Sequence, residues 1–184
     1  MAKKATEDKV GKSESLLTLR NANDTSSLDD KGRARLPNRF RSLIGDRIVI
    51  FYQGLPGVLR VMNLSKYDEY AMSYEKMFSK TNMEGMIYLH LVVRKALPVS
   101  IDSSDRIMIP SELRQSAEFG AGKIHLLLNN GEGDFEIYAE AAYKEFTKNP
   151  AGFRAEELEN EELLFEKAVL REQKIQSLMG GLKS

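Results

Sequence analysis

The sequence predicts an α+β protein made of two tandem, pseudo-repeated β-β-α-β-β-α modules followed by a C-terminal helix. Two blocks of internal similarity and a regular succession of turn signals carry that prediction. Leu28-Asp29-Asp30-Lys31-Gly32-Arg33-Ala34-Arg35-Leu36-Pro37 is echoed 73 residues later by Ile101-Asp102-Ser103-Ser104-Asp105-Arg106-Ile107-Met108-Ile109-Pro110. The register resumes at an offset of 76, where Ile48 faces Ile124, Ile50 faces Leu126 and Gly57 faces Gly133. Leu59-Arg60-Val61 likewise faces Phe135-Glu136-Ile137, and Tyr67-x-Glu69-Tyr70 faces Tyr143-x-Glu145-Phe146. Two blocks in one order with one small gap are a duplication, too short for a solenoid array.

Each element has a local reason. Residues 1–25 are polar, with one apolar patch at Leu16-Leu17, and are expected to form a mobile extension. In the first module, residues 26–80, Gly32 is a turn residue free to take positive φ. Ala34-Arg35-Leu36 alternates as a half-buried strand does. Pro37 suits a helix start, where its missing N–H costs nothing. Phe40, Leu43 and Ile44 share one helical face, and Gly45 is a stop. Residues 47–52 are β-branched and aromatic, and Gly54-Leu55-Pro56-Gly57 turns them into a partner strand. Ser65 with Asp68 reads as a capping box for the next helix. A connecting helix is expected over 81–98. The second module spans 99–149, with Asn130-Gly131 as its hairpin turn and a helix over 140–148. Residues 150–184 read as one acidic amphipathic helix, frayed at Gly180-Gly181.

Lysine plus arginine equals aspartate plus glutamate at 27 each, so net charge points to no partner and only its distribution can. There is no cysteine, which removes disulfides and thiolate chemistry and suits a reducing cytoplasm. No apolar run approaches the roughly 18 residues of a membrane span. The distribution is uneven. Residues 31–47 hold six cations against one acid, while residues 101–123 hold three cations against four acids. Lys31, Arg33 and Arg35 alternate along one arm and so project to one side. A two-stranded ribbon fits the DNA major groove, and arginine's fork can grip guanine or phosphate. Asp29 and Asp102, each four residues before an arginine, are expected to bond backbone N–H groups in their turns.

The enzyme signals are poor. Gly120-Ala121-Gly122-Lys123 lacks P-loop spacing. His90 and His125 are far apart and read as core or interface residues. No catalytic residue, metal ligand, cofactor or small-molecule substrate is expected.

The box Leu28-Asp29-Asp30-Lys31-Gly32-Arg33 with Leu36-Pro37 and Phe40-Arg41, repeated as Asp102-x-x-x-Arg106-x-x-Ile109-Pro110, resembles the MraZ family over residues 26–148. The resemblance implies duplicated AbrB-like swapped-hairpin modules. It implies a cytoplasmic, nucleoid-associated transcriptional regulator, expected to repress a division and cell-wall gene cluster, its own gene included. Double-stranded DNA, bound at short promoter direct repeats, would be the partner, and a ring-shaped homo-oligomer the assembly. Lys31, Arg33 and Arg35 fall on the family's DNA-binding box and Arg106 on the second box, with Asp29, Gly32, Pro37, Asp102 and Pro110 as the framework. Asp105 departs from the family's usual glycine. A rival expectation is an oligomeric scaffold that binds a protein partner through its acidic C-terminal helix.

Overall fold

The structure, a computed structural model, describes residues 23–93, 95–129 and 133–181. The elements of the first half are β1 (Asn23–Leu28), β2 (Arg33–Arg35), α1 (Asn38–Arg41), β3 (Arg47–Phe51), β4 (Val58–Asn63) and α2 (Leu64–Glu75). Helix α3 (Met83–Tyr88) follows and runs into a π turn over Leu89–Val93. The second half is β5 (Leu97–Ser100), β6 (Arg106–Met108), α4 (Ser111–Ser116), β7 (Gly122–Leu128), β8 (Asp134–Ala139), α5 (Glu140–Lys148) and α6 (Pro150–Gly181).

All the strands join one antiparallel sheet in the order β5-β3-β4-β8-β7-β1-β2-β6. The end strands β5 and β6 are consecutive in the chain, and the Asp102 N–H donates to the Arg106 carbonyl at 2.9 Å. The sheet therefore nearly closes into a barrel. Exchanging each strand for its counterpart, β1 for β5 through β4 for β8, leaves this cyclic order unchanged. The register obeys the same exchange. Its centres are the pairs Ala34↔Ile107 between β2 and β6 and Arg60↔Glu136 between β4 and β8. Strand β1 pairs with β7, and β5 with β3, so each half lends its first strand to the other half's second hairpin. Gly57 (φ 74°) and Gly133 (φ 77°), equivalent in sequence, both take the left-handed region that favours glycine. Their carbonyls accept from Ala139 N–H and Asn63 N–H, again across the halves.

Alternation decides what fills the barrel. Ile48, Ile50, Leu59, Val61, Ile124, Leu126, Phe135 and Ile137 point inward and are fully buried. Phe40 and Leu113, from α1 and α4, plug this core, with Phe40 edge-on to Phe135 at 5.1 Å. Full burial of one such side chain contributes roughly 1.5–3 kcal/mol. The opposite faces of these strands also carry apolar side chains that need cover, Val49 and Phe51 on β3, Val58 and Met62 on β4, Leu127 on β7 and Tyr138 on β8. Helix α2 lays Leu64, Tyr67 and Tyr70 on Val49, Phe51 and Met62. Helix α5 lays Ala142, Tyr143 and Phe146 on Val58 and Tyr138. Helix α6 packs Leu164, Phe165, Ala168 and Val169 against Phe78, Tyr88 and Leu89, latched by buried Asn82, whose amide donates to the Ala168 carbonyl at 2.8 Å. Outside β1, β2, β6 and β5 no such layer exists among the described residues, and their outward positions are polar or basic except Pro98 and Met108.

Several expectations change. Residues 1–22, Asn130-Gly131 and Leu182 lie outside the described residues. Asn23 to Thr25, assigned by composition to the extension, already pair with β7, because backbone pairing needs no apolar side chain. Helix α2 is capped not by Ser65 but by Asn63, whose Oδ1 accepts from Ser65 N–H at 2.9 Å. Pro37 and Pro110 sit one position before their helices, starting them with their carbonyls. The helical connection ends at Val93 and β5 opens at Leu97, inside the span assigned to the connecting helix. Of the two readings of the histidines, core or interface, exposed His90 drops the core one, whereas His125 is buried against the Tyr143 ring, 3.7 Å between centroids. Helix α6 runs through Gly180 and Gly181 without breaking. No helix among the described residues is long and apolar enough to cross a membrane.

His125 Nε2 meets Glu140 Oε2 at 2.6 Å. That bond and those from Lys144 pull the Glu140 carboxyl down to about 2, from an ordinary value of 4.5. A depressed carboxyl contributes stability above its unfolded value and loses it as pH falls through the folded one. Glu140→Gln should therefore lower Tm at neutral pH, with the gap to wild type closing between pH 4.5 and pH 2. Thermal melts across that range check this.

Candidate nucleic-acid interface

The bare side of the barrel is built around the β2–β6 pair. Arg33 lies opposite Met108, Ala34 opposite Ile107, and Arg35 opposite Arg106. Ala34 and Ile107 point into the core and are buried, so their neighbours must point out. The two halves thus bring Arg33, Arg35 and Arg106 onto one ribbon face, although 71 residues of chain separate Arg35 from Arg106. Two further bonds pin the ribbon. Ile109 N–H donates to the Gly32 carbonyl and Leu36 N–H to the Asp105 carbonyl, each at 2.8 Å.

Each arm tip is held by an aspartate. Asp29 Oδ1 accepts from Lys31 N–H at 3.0 Å and Arg33 N–H at 2.8 Å, while Oδ2 takes Arg33 Nε at 2.7 Å. Asp102 repeats the pattern with Ser104 N–H, Arg106 N–H and Arg106 Nε at 2.8, 3.0 and 2.9 Å. These bonds, the backbone ones first, hold both carboxyls below the usual carboxylate range. Each aspartate thereby closes its turn and aims its arginine at once. Lys31 and Arg35 stand exposed, and Arg33 and Arg106 are half-buried.

The tips differ in charge. Arg41 of α1 reaches Asp105 Oδ1 at 2.9 Å and also bonds Asp46, so the second tip is neutralised. Asp105 holds φ 57°, where Gly32 of the first tip holds φ 81°. The counterpart of Arg41 is Arg114 of α4. Its guanidinium lies against Gly32, where a Cβ would come 2.6 Å from Nε, and Nε has no hydrogen-bond partner among the described residues. The second half thus adds a cation to the first tip.

The helix behind the arm contributes less than its sequence suggests, since Arg39 pairs with Asp24 at 3.5 Å and Arg41 with its two acids. Sequence reasoning missed Arg114 and Met108. The offset of 73 could have found them, since it sets Arg114 against Arg41 and Met108 against Arg35.

An antiparallel, nearly closed α+β barrel thus brings three arginines from its two halves onto one ribbon face that no helix among the described residues covers. No family model matches the chain. It is 32% identical over 130 residues to the transcriptional regulator MraZ of Mycoplasmoides gallisepticum, covering 69% of this chain and 84% of that protein. It is 24% identical over 123 residues to the protein of that name from Treponema denticola, covering 67% and 83%. To that from Thermoanaerobacter pseudethanolicus it is 27% identical over 123 residues, covering 67% and 82%. The chain belongs to the MraZ family.

Gly32→Ala should collapse this geometry, because the new Cβ would press on Arg114 and lie 2.9 Å from the Ile109 carbonyl oxygen at an unfavourable φ. Such strain costs about 1–3 kcal/mol, which lowers Tm by about 2–4 °C per kcal/mol in a chain of this size. Calorimetry reads the shift, and faster amide exchange at Ile109 would locate it.

Proposed function

We propose that the protein is a DNA-binding transcriptional regulator whose reading surface is the β2–β6 ribbon. The observation that carries this is the convergence of Arg33, Arg35 and Arg106 on a face that no helix among the described residues covers, with Lys31 at the tip. Cations at the tip neutralise phosphate and set the docking, while the arginine forks reach base edges. In this reading residues 26–80 and 99–149 are two AbrB-like swapped-hairpin modules, the strand exchange of β1 and β5 being their signature. They are joined by the segment 81–98, preceded by the extension 1–25 and followed by the helix 150–184. Asp29, Gly32, Pro37, Asp102 and Pro110 are the framework that holds the arms.

One subunit of zero net charge binds weakly. The working form is a ring-shaped homo-oligomer whose arms meet successive promoter repeats, gaining affinity by effective concentration. The exposed Met83, Met86, Ile87 and Leu91 along α3 and its π turn supply apolar surface for assembly. The regulated genes are a division and cell-wall cluster that includes the protein's own gene, and the outcome is repression, in the cytoplasm at the nucleoid. No chemical step is assigned to the protein.

A gel shift on the gene's own upstream region tests the reading. Arg33→Ala or Arg35→Ala should raise Kd at least tenfold, a bidentate arginine–base pair being worth about 1–3 kcal/mol. The slope of log K against log salt should fall by about one for each phosphate that a variant leaves unneutralised. A second reading, a protein scaffold working through α6, has in its favour the exposed Leu170, Leu178 and Met179 on that helix. It predicts the reverse: no effect of the arginine variants and loss of activity in Leu170→Lys with Leu178→Lys.

A further inference from the structure

The ribbon face holds one side chain that charge does not explain. Met108 is 55% exposed and belongs to none of the buried clusters. It lies opposite Arg33 and two residues from Arg106 on the same side of β6, with Arg35 diagonal to it across the ribbon. An unpaired apolar side chain ringed by three guanidinium groups is a poor seat for a second copy of the same face, because the cations would repel. It is a good seat for a polyanion that carries apolar groups between its charges.

Duplex DNA is such a polyanion. In the major groove the phosphates flank a floor whose one apolar feature is the thymine C5 methyl. A two-stranded ribbon enters that groove with its outward side chains toward the bases. We propose that Met108 reads thymine by packing its thioether on that methyl, while the arginines around it take guanine edges and phosphates. Methionine suits this task, since its unbranched, polarisable chain adapts to a small target. Met108 sits at the position where the first half has Arg35. The two halves therefore offer different readers at equivalent places, one for an acceptor and one for a methyl. This inference rests on the proposed DNA-binding reading and adds a base preference to it.

The test uses the full chain and the shortest duplex from its upstream region that it retards against competitor DNA, made once with thymine and once with deoxyuridine throughout. Uracil pairs as thymine does and lacks only the methyl. Wild type should lose about three- to tenfold in affinity on the uracil duplex, the scale of one or two buried methyl groups. Met108→Ala should show the same loss on the thymine duplex and no further loss on uracil, while Met108→Leu should stay within about twofold of wild type on both. Equal Tm for the three proteins shows the fold intact, as exposure at this position predicts. Met108→Ala binding thymine DNA like wild type, or still losing the full factor on uracil, would overturn the assignment while leaving the DNA-binding reading in place. Absence of any specific wild-type complex would overturn both.

Discussion

Everything on the bare side of this protein depends on one strand pair. Strands β2 and β6 are only three residues long, yet their register about Ala34↔Ile107 joins the halves and carries the sheet round to β6, beside which β5 begins the order again. So short a pair has few bonds of its own. It persists because Ala34 and Ile107 are buried and because Gly32 and Asp105 each accept a bond from the opposite half. The burial of two small apolar side chains thus fixes which residues must face outward, and the outward set is Arg33, Arg35, Arg106 and Met108. Cover on the opposite side completes the logic. Helices α2 and α5 occupy the outer faces of β3, β4, β7 and β8 because those faces carry Val49, Phe51, Val58 and Tyr138. The outer faces of β1 and β5 carry little that needs a partner, and the β2–β6 ribbon is left open among the described residues.

The duplication is faithful in backbone and unfaithful in charge. Asp29 and Asp102 make the same set of bonds to turn amides and arginine, so both tips have one shape. Yet Asp105 captures Arg41, while Gly32 leaves Arg114 without an acid among the described residues. A left-handed turn residue can be glycine or, at some strain, aspartate. That choice decides whether the turn itself offers an acid to the cation behind it, Asp46 being Arg41's second partner.

Much of this was readable in the chain because its causes are local. Turn glycines, the alternation in residues 33–36 and the β-branched and aromatic run 47–52 each act within a few residues, whereas the helix expected to carry Phe40, Leu43 and Ile44 stops at Arg41 and leaves the last two in the turn that follows. The offset of 76 aligned Gly57 with Gly133, which share one backbone conformation. The pairing between arms was out of reach, since β2 and β6 lie about seventy residues apart and nothing local records their register. For that reason nothing in the chain set Met108 beside Arg33 or Arg106 beside Arg35. Asn63 was hidden by a capping pattern that begins two residues later, where Ser65 supplies the amide rather than the acceptor. The core reading of His90 failed because an apolar run on a partly packed helix has an outer side as well as an inner one.

The cyclic symmetry of the sheet has a consequence for orientation. A ribbon with true two-fold symmetry presents the same face when turned end for end, and so cannot distinguish a segment of duplex from its reverse complement. Here the exchange that maps the halves onto each other replaces Arg35 by Met108 and Gly32 by Asp105. The backbone has no front or back, but its side chains do. Laid along a double helix, such a ribbon has a heading, and copies that share a heading call for sites that repeat in tandem rather than as palindromes.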